Sequence, residues 1–317
     1  MVDQKGFILC APWQAMGHSN GILSLIQLAQ AIRARGRKVY FCATDAWPRE
    51  DNVIRADLRI AKFEDPTLQT YCNLMRKIQT LYSIDFVSDF SEEWINRNYV
   101  IYPETMLGNT LDAKYVIRYF GNKDGILKGE KIKMHATDFV LSHSKVIYSG
   151  AHHVLFFAKV NPLFHSRDAQ PASARTLDLT YVGKGNLYGE VVNLDNTVGL
   201  GRTWPETKDQ LATLLRSCRF FYTWDSWTQM NVEALYCGAI PVFLRKMPWT
   251  DAEIDGTELG VLPRLASDAA LGPDFFEEFE FARKGFVERV ERVMRNWDAG
   301  VDDFIYKVDR HFGALRR

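Results

Sequence analysis

Asp225 and Glu233 stand with seven residues between them where a polar loop passes into a helix-like stretch, and Ser226, Trp227 and Thr228 follow the first acid directly. A helix start leaves its first backbone N–H groups unpaired, so amides and hydroxyls gathered there attract an anion, a phosphate above all. Lys184 follows Gly183 at the end of an apolar run and is the best-placed cation for the same anion. Breaking a bond to a phosphate oxygen needs positive or hydrogen-bonding groups where negative charge grows, which these residue types supply. Glu233 can accept two hydroxyl hydrogens at once, as carboxylates do for ribose in other α/β folds, or it is a solvated helix glutamate. Asp225 either contacts hydroxyls of a substrate or caps the helix. Tyr222 and Trp224 offer ring faces for a base or a sugar, although a core position is the commoner fate of an aromatic.

All of these but Gly183 and Lys184 belong to one stretch, 220 to 243, that reads as strand, polar loop, helix, Cys-Gly turn and strand. It resembles the carboxyl-terminal signature of GT-B glycosyltransferases, especially retaining family 4: an acid, seven residues, Glu, a small-residue turn and Pro-Val, matched by Asp225, Glu233, Gly238, Pro241 and Val242. The resemblance implies two Rossmann-like domains facing a cleft, with the loop after Asp225 toward donor sugar and diphosphate and Glu233 on the nucleotide ribose. It also implies retention of anomeric configuration, a basic residue at Lys184, and a terminal helix that crosses back to the first domain. Three features depart from the pattern: the first acid is Asp rather than Glu, the small Gly-rich loop is replaced by Ser226-Trp227-Thr228-Gln229, and residues 185–190 carry no second basic residue.

The surrounding chain must position that stretch. Its 317 residues fit two domains of about 150 each. At 47% hydrophobic and 13% aromatic, with no low-complexity tract, the chain can bury a sizeable core. Basic and acidic residues both number 39, so no overall field selects nucleic acid. Residues 1–160 carry 20 basic and 16 acidic side chains, leaving 19 and 23, a mild positive bias that suits an acidic or lipid-linked acceptor or is ordinary surface variation. Five scattered cysteines without metal spacing read as reduced, small hydrophobes, which favours the cytoplasm. The first apolar run is too short for a signal peptide, and no run spans a bilayer, so membrane contact is expected to be peripheral at most.

The chain opens as strand (Phe7 to Pro12), glycine-containing loop, helix and strand (Val39 to Ala43). Ser19 or Asn20 is the expected N-cap and Gly36 the stop. The loop lacks the Gly-x-Gly-x-x-Gly fingerprint. By resemblance Gly17, His18 and Asn20 lie at the acceptor side of a cleft; alternatively Gly17 and Gly21 merely permit a tight turn. Further strands are read at 99–104, 115–120, 139–144, 145–149, 177–182 and 261–263, with a short helix after Asn109, a helix over 208–217 and one long helical tail over 277–312. Domain boundaries are expected at 1–160 for the acceptor domain, 161–174 for a linker holding Pro162 and Pro171, and 175–317 for the donor domain.

His143, at a strand end, and His18 are candidates to contact the transferred sugar or an acceptor hydroxyl. No Asp-x-Asp triplet or i, i+4 histidine pair offers a metal site, so no metal and no cofactor are expected beyond a nucleotide-diphosphate sugar as co-substrate. The expected activity is transfer of a hexosyl unit from that donor to a saccharide or lipid-linked saccharide in bacterial surface polysaccharide synthesis. A GT-B-like sugar-nucleotide epimerase and a non-catalytic nucleotide-binding protein are the alternatives.

Overall fold

The computed structural model describes residues 4–13, 19–45, 52–56, 58–127, 129–156, 160–189, 191–192, 194–201, 204–244, 248–267 and 269–314. The chain divides into two compact units, Met1–Phe157 with Trp297–Arg317, and Ala158–Asn296. Each is a Rossmann-like α/β unit built on a parallel sheet.

The first unit contains β1 (Gly6–Pro12), α1 (Asn20–Ala34), β2 (Val39–Asp45), β3 (Asn52–Val53), α2 (Pro66–Tyr82), β4 (Asp85–Phe86), α3 (Glu92–Ile95), β5 (Asn98–Pro103), β6 (Val116–Phe120), β7 (Phe139–Ser142) and β8 (His153–Val154). Its sheet runs β3-β2-β1-β5-β6-β7-β8, with β4 also on β2. All pairs are parallel except β2 with β3. Burial on both faces explains the continuous apolar runs: Phe7, Leu9, Phe41, Ile101 and Ile117 fill one side, Ile8, Cys10, Cys42, Val100 and Tyr102 the other.

The second unit contains β9 (Leu177–Tyr181), β10 (Val198–Leu200), α4 (Lys208–Ser217), β11 (Cys218–Thr223), α5 (Gln229–Tyr236), β12 (Ile240–Phe243), α6 (Asp251–Asp255), β13 (Leu265–Ala266) and α7 (Phe275–Arg295). Its all-parallel sheet runs β10-β9-β11-β12-β13. From β9 the chain goes first to β10 on one side and then to β11 on the other. The carboxyl ends of β9 and β11 therefore flank a topological switch point, where open α/β sheets bind ligands. After α7 the chain enters α8 (Trp297–Ala314), which belongs to the first unit. Val301, Phe304, Val308 and Phe312 join the core there, and Phe312 stacks on Tyr99 at 5.3 Å. Burying each such side chain stabilises by about 1.5–3 kcal/mol.

Several sequence expectations are corrected. Residues 161–174 are no linker, because Phe164 lies in the second unit's core and Asn161 closes a turn onto Leu163. The long tail is two helices parted at Asn296 rather than one, and its last part belongs to the first unit, outside the 175–317 bounds but as the resemblance implies for a terminal helix that crosses back. Residues 145–149 form turns, since the Val146 amide donates to Ser144 Oγ and the Ile147 amide to the Ser144 carbonyl. No helix follows Asn109, whose side chain instead takes the Ala113 amide and donates to the Ala113 carbonyl. The last strand is Leu265–Ala266 rather than 261–263, where Pro263 has no amide to give a ladder. Among the described residues no helix is long and apolar enough to cross a membrane. All five cysteines are buried and unpaired.

Candidate functional site

The second unit gathers most of the sequence-nominated residues at the carboxyl ends of β9 and β11. Lys184 comes from the turn after β9 and Asp225 from the turn after β11. Asp225 Oδ2 accepts from the Lys184 backbone amide at 3.0 Å and from its ammonium at 2.8 Å. The ammonium also donates to the Trp227 carbonyl at 2.9 Å. One carboxylate, only 1% exposed, thus ties the two strand ends together while 21% of the lysine side chain stays open to solvent.

That closeness explains the glycines around the lysine. Gly183 has φ +55°, and a Cβ there would meet Asp225 Oδ2 at 2.5 Å and Tyr181 at 2.7 Å. At Gly185 a Cβ would stand 2.4 Å from that of Trp224. Trp224 is itself buried, so the stacking role considered for it is not open.

The helix start after Asp225 is built locally. Thr228 is the N-cap of α5, its hydroxyl accepting from the Met230 amide at 3.4 Å. Trp227 stacks on buried Trp249 at 4.4 Å, which fixes its indole. Asn231, fully buried, donates through Nδ2 to the carbonyls of Asp225 and Ser226 and so holds the turn from within the helix. Four buried oxygens along this short stretch have no hydrogen-bond partner among the described residues: Asp225 Oδ1, Ser226 Oγ, Asn231 Oδ1 and Glu233 Oε2. A buried polar atom left unpaired costs roughly 1–3 kcal/mol, so each of these oxygens is a candidate hydrogen-bond acceptor.

Glu233 is 4% exposed, which removes the reading of a solvated helix glutamate. Its Oε1 faces Lys208 Nζ at 3.4 Å. Burial pushes its carboxyl above the ordinary range, and the Lys208 charge draws it back down.

Other nominated residues lie elsewhere. Tyr222 is the last but one residue of β11, in register with Thr180 of β9, its ring beside that of Phe220 and its hydroxyl raised first by burial and then by the Asp178 charge. His143 follows β7 in the first unit with its ring 4.2 Å from that of Phe156, and desolvation pushes it down to about 3. Gly17 and His18 lie outside the described residues. Asn20 is the first residue of α1, where its carbonyl accepts from the Ser24 hydroxyl. Sequence reasoning missed Asn231 and Lys208. Asn231 sat inside the recognised stretch, whereas nothing local distinguishes Lys208 from any lysine at a helix start.

No protein-family model matches the chain, and no curated protein sequence matches it. Among solved structures it is similar to the calicheamicin glycosyltransferase CalG4, at 14% identity over 98% of both chains with a TM-score of 0.41. It is likewise similar to the glycosyltransferase VinC in complex with dTDP, at 12% identity over 96% of this chain and 98% of that one, TM-score 0.43. A third is the glycosyltransferase SnogD from Streptomyces nogalater, at 11% identity over 94% and 98%, TM-score 0.43.

Proposed function

We propose that the chain is a glycosyltransferase of GT-B type, binding a nucleotide-diphosphate sugar at the β9/β11 switch point and passing the sugar to a saccharide or lipid-linked saccharide. The observation that carries this reading is the set of unpaired buried oxygens, Asp225 Oδ1, Ser226 Oγ, Asn231 Oδ1 and Glu233 Oε2, beside an ammonium held in place. A ligand with several hydroxyl donors and an anionic centre matches it, and a nucleotide sugar has both.

In the reaction the bond from the sugar's anomeric carbon to the β-phosphate oxygen breaks, and its electron pair stays on the phosphate. The acceptor hydroxyl oxygen forms the new bond to the anomeric carbon, and its proton passes to the departing diphosphate. Lys184 and the amides at the start of α5 meet the charge that grows on the leaving diphosphate. Glu233 Oε2 takes ribose hydroxyls, and Asp225 both fixes Lys184 and offers Oδ1 to the ligand. A hexosyl donor, retention of configuration and a role in bacterial surface polysaccharide are the finer parts of the reading, supported by the resemblance of the Asp-x7-Glu stretch. Metal independence is proposed on the same footing, since the ammonium and helix amides are suited to the charge a metal would otherwise meet; turnover in excess chelator checks it.

Thermal denaturation with UDP, GDP, CMP, dTDP and ADP and their sugar conjugates tests the donor site. A ligand at 100 times its Kd adds about 2.7 kcal/mol to the folded state. One nucleotide should raise the Tm of the wild type and not that of Glu233→Ala. Absence of any rise at millimolar concentration overturns the reading.

A further inference from the structure

Lys208 opens α4, where a capping box between Thr207 and Gln210 fixes the helix start and with it the direction in which the lysine leaves. Its ammonium lies 5.6 Å over the buried ring of Phe164 and 3.4 Å from Glu233 Oε1, while 41% of the side chain remains exposed. Glu233 is enclosed, and its second oxygen has no partner among the described residues. An enclosed carboxylate is disfavoured as an anion unless a positive charge stands beside it.

Other elements packed on α5 bring little charge to bear. The four residues of β12 are Ile240, Pro241, Val242 and Phe243. From α7, Arg283 is directed at the Leu235 carbonyl, and Glu291 acts on Tyr236. At the helix end Cys237 feels the Glu233 charge but is itself pushed up by burial to about 12, and so stays neutral.

We propose that Lys208 is a positioning residue for Glu233, pinning Oε1 and keeping the carboxylate ionised so that Oε2 is left to accept a ligand hydroxyl. The ligand half of this rests on the nucleotide-sugar reading above; the coupling between the two side chains does not. Lys208 thus acts from a segment 25 residues upstream of the acid it serves.

The first readout needs no ligand. In full-length protein carrying 13C-carboxyl glutamate, the Glu233 signal, identified by its loss in Glu233→Gln, is titrated in the wild type, Lys208→Met and Lys208→Arg. Lys208→Met is expected to move the midpoint upward, and Lys208→Arg to keep it near the wild-type value. The second is calorimetry with UDP, GDP, dTDP and ADP between pH 5.5 and 8.5. Affinity that depends on the ionised carboxylate falls as pH drops through the midpoint, so a raised midpoint brings the fall on at higher pH. Lys208→Met should lose about tenfold per unit of midpoint shift at the acid end and under about threefold at pH 8.5. An unmoved midpoint overturns the proposal, and so does a loss of equal size at every pH, which marks direct contact with the nucleotide. If the midpoint moves but the wild type binds none of the four nucleotides, the donor reading fails while the positioning of Glu233 stands.

Discussion

Asp225 has two tasks that pull apart under mutation. Asp225→Asn removes the counter-charge of Lys184, and breaking so enclosed a pair is expected to cost about 2–4 kcal/mol, less than a fully buried pair because the lysine is partly solvated. Urea denaturation gives that cost, and a parallel loss of nucleotide binding would show that Lys184 needs its tether. Gly183→Ala places a Cβ against Asp225 and Tyr181 in a left-handed backbone, with an expected penalty of about 1–3 kcal/mol in the same assay. Glu233→Gln should behave oppositely. Burial raises the Glu233 carboxyl, so the native state holds that proton more tightly than the unfolded chain, and the carboxylate costs stability as pH climbs past the unfolded value of about 4.3. The amide variant is therefore expected to melt higher than wild type at pH 7.5 and level with it at pH 4, while losing nucleotide binding. Lys184 and Asp225 were each legible as polar residues closing an apolar run. Their contact was not, because it spans 41 residues and depends on β9 lying next to β11.

At the level of elements, α8 is held to the first sheet by more than its apolar stripe. Arg37 pairs with Asp309 at 2.9 Å, Tyr99 donates to the same carboxylate, and Arg35 reaches Asp298 and Asp302. Phe304→Ala should cost about 3–5 kcal/mol through the cavity it leaves beside Phe7 and Phe139, read by denaturant titration. Sequence periodicity made the tail visible as one long helix but not its break at Asn296, and the change of unit was implied only by the family resemblance, since a helical stripe does not say which sheet covers it. The two cores were legible in the same limited way. A continuous run such as Phe7 to Pro12 reads as a parallel strand buried on both faces, whereas α2 went unread although Asp65 and Pro66 give it a good start, the Asp65 carboxylate accepting from the Thr67 and Leu68 amides. Turns built by Asn109 and Ser144 misled for a shared reason: a side chain that satisfies its neighbours' amides replaces the ladder that composition suggests.

Taken whole, the molecule keeps its candidate donor chemistry inside one unit. Residues 158–296 expressed alone are expected to bind the same nucleotide as the full chain within about threefold, by calorimetry, and loss of binding would mean that the site needs residues of the first unit. A chain ending at Asn296 should instead expose Phe7, Tyr99 and Phe139, which α8 covers, and show reduced stability and dye-binding apolar surface in the first unit. The arrangement of units, one inserted between β8 and α8 of the other, also orders events on the ribosome. Everything that builds the first sheet is made before residue 157, yet Val301, Phe304, Val308 and Phe312 emerge only after the whole second unit has been synthesised. At about 5–20 residues per second the nascent first sheet waits roughly 7–30 seconds for its covering helix, long enough to make it a client of holding chaperones while its neighbour folds.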